Sequence, residues 1–327
     1  MQQYVPPFSI TNRMLTYVAQ IAEKTGMISN YHSFETKPHL RRNNRIRSIH
    51  SSLAIEANSL SLDEVKSVIS GRTVIGPQKE IQEVKNAYQA YEQLGRFNPY
   101  SLDDLKAMHG VMTCLTVQES GVFRSHNEGV FNGDRCIFMA PPPQLVPDLM
   151  QQLFDWMKSA RQEVHPLILS SVFHYEFVFI HPFADGNGRI GRLWHTLLLT
   201  QWKPMFAWLP MESTIHDRQE EYYDAINRSN FEGESTAFIA FMLSAIKAAL
   251  MEAVQTSGAA AGMTTEELRW YQIACHLKKN GTITNADVRL MFQVSAATAN
   301  RILAKLTEGG KLRKIRIGKS WGYQFVK

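Results

Sequence analysis

The stretch HPFADGNGRIGR, residues 181–192, gathers one His, one Asp, one Asn, two Arg and three Gly into twelve positions. Pro182 must end the apolar helix that precedes it, which leaves His181 at that helix's C-terminal edge. Glycines at the start of the next helix let backbone N–H groups converge on one point, where the helix dipole also favours negative charge. A phosphate group is what such a cradle holds without a P-loop lysine. Arg189 and Arg192 lie three residues apart on one helix face, so both can reach a polyphosphate. Asp185 sits just ahead of these donors, where a carboxylate suits Mg²⁺ shared with phosphate oxygens. His181 is the base available at neutral pH, and phosphate chemistry needs one for an attacking hydroxyl. A Gly-rich corner with a capping Asp and surface arginines accounts for any two of these features, though poorly for the whole set.

A second stretch, SSLAIEAN at 51–58, carries one chemical group of interest. On a helix running through RIRSIHSSLAIEA, Ile46, Ile49 and Leu53 form the apolar stripe. Glu56 falls on the shoulder of that stripe, one turn after Ser52. A carboxylate near the interior needs a cationic partner. Taken alone, the stretch reads as a structural ion pair with any Arg.

The elements around these residues are mostly helical. TNRMLTYVAQIAEKTG, SLDEVKSVISG and KEIQEVKNAYQAYEQLG show helical apolar spacing, each with a Gly placed to end it. SLDDLKAMHGVMTCL opens on Ser101, a suitable N-cap, with Leu105 and Met108 on one face. VHPLILSSVFHYEFVFI is apolar nearly all round, as a central helix is. Residues 121–147 interrupt the pattern: a β-hairpin turning at NGD (132–134) and stopped by Pro141, Pro142 and Pro143. Such a hairpin needs the helices, or a partner strand, to be stable. The small, Gly-rich QTSGAAAGM at 255–263 reads as a linker. Beyond it come a helix, two further helices joined by QV, and a basic two-stranded ribbon turning at Gly318, the order of a winged helix-turn-helix.

The chain has 327 residues, 44% hydrophobic and 20% charged, which excludes a disordered protein. No apolar run of bilayer-spanning length and no signal peptide is evident, so no membrane partner is expected. Three scattered cysteines support neither a disulfide framework nor a metal knot; a reduced, cytoplasmic protein is expected. From Met263 onward there are 12 Lys plus Arg against 4 Asp plus Glu, while the rest holds 23 against 26. A slightly acidic body with a strongly basic tail points to two units with different partners.

HPFADGNGR resembles the signature of the Fic family, His-Pro-Phe-x-Asp/Glu-Gly-Asn-Gly/Lys-Arg, and the similarity extends to Arg192. EVKNAYQAYEQL, the hairpin with its prolines, HYEFVFIHPF and EYYDAINRSNFEG resemble the family in the same order. The resemblance implies a mainly α fold: a Fic-type helical bundle with an inserted β-hairpin flap, and here a C-terminal winged-helix domain. It divides the chain into an N-terminal helical region (1–100), a catalytic core (101–254) with the flap at 121–147, and the tail domain (264–327). It implies AMP transfer from ATP to a Ser, Thr or Tyr hydroxyl of a target protein or of the chain itself. His181 would then be the general base and Phe183 the anchor of the loop. Asp185 would bind Mg²⁺, and Gly186, Asn187 and Gly188 would cradle the phosphates, with Asn187 polarising the first. Arg189 would hold the β- or γ-phosphate and Arg192 the γ-phosphate. A Lys in place of Gly188 marks the Doc-like, phosphorylating branch. Tyr222 and Asn230 match positions lining the nucleoside pocket, and the flap would pair with a target strand.

Beside that motif, SSLAIEAN resembles the inhibitory signature Ser/Thr-x-x-x-Glu-Gly/Asn. Ser52 and Glu56 fit; Ala57 departs from the last position. The resemblance implies that Glu56 pairs with Arg192 and competes with the γ-phosphate for it, in an N-terminally self-inhibited enzyme; dimers are common in this class. In the tail, Thr298, Asn300, Arg301 and Lys305 lie on the expected recognition helix, and Lys311, Arg313, Lys314, Arg316 and Lys319 on the ribbon. That charge suits DNA, but it equally suits a protein-docking module with a solvated basic face. Alternative functions are a DNA-binding regulator whose Fic body senses nucleotide with little turnover, and transfer of a different phosphate-linked group.

Overall fold

The structure, a computed structural model, describes residues 4–30, 38–132, 135–261, 265–292, 294–317 and 320–326. It divides into two compact units, Met1–Ala253 and Val254–Lys327. Residues on both sides of position 100 share the first unit.

The first unit begins with α1 (Asn12–Asn30), α2 (Pro38–Ile55), α3 (Leu62–Ile69), α4 (Gln78–Glu92) and α5 (Leu102–Met112). The hairpin strands β1 (Gly129–Asn132) and β2 (Arg135–Met139) follow, then α6 (Val146–Ala160), α7 (Pro166–Ile180) and α8 (Asn187–Trp202). It closes with α9 (Met211–Asp217), α10 (Gln219–Glu232) and α11 (Thr236–Ala261), the last running past the unit boundary. α7 is buried on nearly every side, as its composition demands, and packs along α8. Ser101 caps α5 by accepting a hydrogen bond from the Asp104 N–H at 3.2 Å.

α2 is held differently. Ile46, Ile49 and Leu53 are buried, as the spacing predicts, yet so are Asn44, Ser48, Ser51 and Ser52. The first three of these polar groups bolt α2 to the segment around α9. Asn44 donates to the Trp208 carbonyl at 3.0 Å, Ser48 to Glu212 at 2.7 Å and Ser51 to Ser213 at 3.1 Å.

Four expectations are corrected. α2 ends at Ile55, so Glu56 is its C-cap rather than a residue within it. α1 runs past Gly26, and Gly95 lies in a 3-10 turn; of the three proposed terminating glycines Gly71 alone adopts a left-handed φ, +74°. The expected linker is helical through Ala261, because Ala259–Ala261 favour helix more than Gly258 opposes it. The window Thr236–Ala253 has mean hydropathy 1.5, enough to cross a bilayer by length and composition, because Lys247 and Glu252 are its only charged residues. More than half of that window is buried within the protein, the pattern of a core helix.

β1 and β2 pair antiparallel with Gly129 opposite Met139 and an irregularity after Val130. Gly133 and Asp134 of the expected turn lie outside the described residues. The second unit contains α12 (Thr265–Asn280), β3 (Ile283–Thr284), α13 (Asn285–Phe292), α14 (Ala296–Glu308), β4 (Leu312–Ile317) and β5 (Ser320–Phe325). Its sheet order is β3-β5-β4, and its own core joins Ile273, Leu277, Val288, Leu303 and Leu312. Gly318 and Lys319, at the expected ribbon turn, lie outside the described residues.

Candidate active site

The loop between α7 and α8 is over-determined. His181 caps α7 in a left-handed conformation, φ 51° and ψ 59°, and its N–H donates to the Phe177 carbonyl at 3.0 Å. A non-glycine residue there is strained and persists only where its surroundings impose it. Arg124 is the surrounding group. Its Nε donates to the His181 carbonyl at 2.7 Å, its backbone N–H to the Pro182 carbonyl at 3.0 Å, and its guanidinium also reaches the Pro141 carbonyl. Phe183 is fully buried and stacks on the His109 ring with centroids 3.7 Å apart. The Gly121 N–H donates to His109 Nδ1 at 2.9 Å, so Nε2 carries the proton and donates to the Asp185 carbonyl at 2.9 Å. Burial lowers the His109 pKa to about 4, which keeps this ring neutral.

Asn187 uses both ends of its amide on one residue. It donates to the Phe183 carbonyl at 2.7 Å and accepts from the Phe183 N–H at 3.0 Å. The side chain expected to polarise a phosphate therefore staples the loop in this state. Gly186, at φ +85°, provides the left-handed turn into α8. A Cβ on Gly188 would collide with the Glu56 carboxylate, so only glycine admits that group over the helix start.

The cations are buried and paired. Arg192, 1% exposed in its side chain, donates from Nη2 to Glu56 Oε1 at 2.8 Å and to the Ser52 carbonyl at 2.9 Å, and from Nε to Ser52 Oγ at 3.1 Å. Burial works against the Arg192 charge, but Glu56, Tyr222 and Tyr223 together raise the pKa. Arg189 Nη2 donates to Asp185 at 2.8 Å, and Nη1 lies 3.2 Å from Glu83. Its buried Nε has no hydrogen-bond partner among the described residues, an open position for an anion. Burial works to raise the pKa of Asp185, yet Arg189 and the Gly186 N–H hold its carboxyl below the usual value. Glu83 also accepts from Asn58 at 2.9 Å, joining the segment after Glu56 to the loop.

Ala57 explains the departure in the second stretch. It sits at φ 64°, and the Asn58 N–H donates to the Leu53 carbonyl at 3.1 Å while its own donates to that of Ala54 at 3.0 Å. This is a Schellman cap, whose left-handed position Gly or Asn fills without strain.

Beside the loop lies a cavity of about 270 Å³ lined by Glu56, Phe138, Phe179, His181, Gly188, Arg192, Tyr222, Tyr223, Asn227 and Asn230. Burial lowers the His181 pKa from 6.5, leaving a neutral imidazole at its rim. Tyr222 is buried with its hydroxyl 3.1 Å from His174 Nε2, and Asn230 accepts from the Tyr175 hydroxyl at 2.9 Å. The structure thus brings Ser52 and Glu56 onto the same cavity and cradle as His181, Asp185–Arg189, Arg192, Tyr222 and Asn230. Sequence reasoning missed His109, Arg124, Glu83, Tyr223 and Asn227. For His109 a signal existed: it follows Leu105 by four residues on the buried face of α5. For Arg124 and Glu83 there was none, since their partners are distant in sequence.

The segment that carries this histidine-capped helix, glycine cradle and paired arginines is similar to known proteins. A model of the Fic/DOC family matches residues 99–199. A Fic family protein from Desulfovibrio desulfuricans G20, of known crystal structure, is 38% identical over 99% of this chain and 98% of its own, with a TM-score of 0.75. The chain belongs to the Fic family. A protein adenylyltransferase Fic from Nematostella vectensis is 29% identical over 204 residues, 59% of this chain and 45% of that protein. Protein adenylyltransferase fic-1 from Caenorhabditis elegans is 27% identical over 208 residues, 59% of this chain and 38% of that protein. The chain matches less than half the length of these two relatives.

Proposed function

We propose that the chain is a protein adenylyltransferase held off by its own Glu56. ATP is the substrate, with its phosphates on the α8 N-terminus and its nucleoside in the cavity beside Tyr222 and Asn230. The observation that carries the reading is the position of His181 on the wall of that cavity, next to a cradle of Gly186, Gly188 and the buried Arg189 and Arg192.

In the reaction His181 accepts the proton of a protein hydroxyl as its oxygen attacks the α-phosphorus. The bond to the β-phosphate oxygen breaks, the protein keeps AMP as a phosphodiester, and pyrophosphate leaves. Arg189 and Arg192 stabilise the departing charge. Among the described residues no trio of His, Cys, Asp or Glu stands together, and Asp185 is the carboxylate that sits at the start of the cradle, bonded to the Gly186 N–H. One carboxylate with phosphate oxygens and water fits Mg²⁺. Asp185 would hold that ion, which neutralises phosphate charge when bound. The β1–β2 flap would present an acceptor segment by strand addition.

Self-inhibition follows from competition. The Glu56 carboxylate occupies the Arg192 donor that a γ-phosphate needs, and both cannot hold it together. The test is incubation of the full chain with ATP labelled at the α or the γ position. Label carried from the α position alone supports AMP transfer, and His181→Ala should remove it by about 10²-fold or more. Label from the γ position would mean kinase chemistry, and an active His181→Ala variant would defeat the assigned base.

A further inference from the structure

We propose that the unit Val254–Lys327 binds duplex DNA as a winged helix-turn-helix, with α14 in the major groove and the β4–β5 ribbon on the phosphates. Three observations on that unit converge. First, its order of helix, short strand, two helices separated by three residues and an antiparallel ribbon supplies the geometry. Ala299 and Leu303 fix one face of α14 in the core, and Ser295 caps its start.

Second, the opposite face of α14 is shaped for a groove. Ala297, Asn300, Arg301 and Ala304 are exposed along it. The alanines let the backbone approach closely, while Asn and Arg are the side chains that read adenine and guanine edges in pairs of hydrogen bonds. Asn285 donates to Asn300 Oδ1 at 2.7 Å and to the Ala296 carbonyl at 3.0 Å. That pair fixes the amide of Asn300 and leaves its NH₂ for an outside acceptor. None of the large exposed apolar side chains of this unit lies on α14. An anchor of that kind would mark a protein interface instead.

Third, the ribbon is cationic. Arg313, Lys314 and Arg316 are exposed on β4, and Trp321 pairs with Arg316 across the strands. The half-exposed Trp321 ring lies 4.4 Å from the Lys314 ammonium and 5.1 Å from the Arg316 guanidinium. Both cations are thereby held at the surface, and among the described residues neither forms an ion pair with a carboxylate. With 12 basic against 4 acidic residues from Met263 onward, the unit complements a polyanion.

The experiment uses the full chain and a pool of random-sequence duplexes, selected through rounds of binding and washing, followed by anisotropy on the enriched and a scrambled duplex. One sequence family should be enriched. Affinity for it should fall on the order of 10²-fold between about 50 and about 200 mM salt. Asn300→Ala should erode the preference for the enriched duplex by about tenfold. Lys314→Ala with Arg316→Ala should weaken both duplexes alike and flatten the salt slope. Both sites are exposed, and an unchanged circular dichroism spectrum confirms folding. Failure to enrich any sequence, or an Asn300→Ala variant that keeps the full preference, would overturn the proposal and leave this face to an acidic protein. Because AMP transfer needs only the first unit, either outcome is separate from that of the labelled-ATP test.

Discussion

The loop 181–192 and the C-terminal end of α2 face each other across one ion pair, yet they are anchored in different ways. The loop hangs from a fully buried Phe183, an amide staple by Asn187 and backbone bonds from His109 and Arg124. The end of α2 presents Glu56 with its side chain 35% exposed and a strained Ala57 behind it. Under the proposed function, such a division would keep the reacting geometry rigid and place adjustment in the element that blocks it. In the proposed reaction a phosphate would displace one carboxylate on a strained cap, while the cradle beneath would stay as it is.

The contrast can be broken from either side. Phe183→Ala should cost about 3–5 kcal/mol of stability and abolish transfer, since it removes a fully buried ring that the whole loop rests on. Denaturant unfolding and label transfer would check it, and a small loss would mean that the loop has other anchors. Acid tests the same rigidity. Burial lowers the pKa values of His109 and His195 to about 4, and that of His174 also falls, so the folded state refuses protons that the unfolded chain accepts from pH 6.5 downward. Stability should therefore drop between pH 6.5 and about 4, by roughly 3 kcal/mol for each histidine that reaches pKa 4. Glu176, raised by burial to about 7, acts in the opposite sense: its contribution is lost as pH rises from 4.5 to about 7. A stability profile flat from pH 7 to pH 4.5 would contradict the neutral-histidine core.

On the other side of the pair the expected changes are in activity first. Glu56→Gly should raise label transfer by about tenfold or more, because it frees an Arg192 donor without touching the cradle. An unchanged rate would show that the ion pair does not limit the enzyme. The smallest effect is expected at the cap: Ala57→Gly should stabilise the fold by about 1 kcal/mol by relieving its left-handed backbone. A thermal midpoint that stays put or falls would place the strain elsewhere.

Legibility in the sequence followed distance along the chain. The helix-ending Pro182, the glycine cradle, the capping Ser101 and the apolar stripe of Ile46, Ile49 and Leu53 are local patterns, and the structure places them as their spacing requires. α2 shows the limit. Its apolar stripe was readable, but its buried serines were not, because a serine is buried only when a distant partner satisfies it. Ser48 needs Glu212, 164 residues away. The length of α2 was misjudged for a related reason: nothing local distinguishes a last helical turn from a Schellman cap closed by Ala57.

By itself the sequence determined that a glycine-rich helix start would follow a histidine, and that a carboxylate would emerge near the end of another helix. Those features depend on residue type and on the 3.6-residue period, which act over a few positions. Only the tertiary structure decided that Glu56 meets Arg192, 136 residues later, that Arg189 lies near Glu83, and that His109 carries the ring of Phe183. Pairings of that range are chosen by which buried charges and rings can be satisfied at once in a packed core, a condition that no short stretch of chain contains.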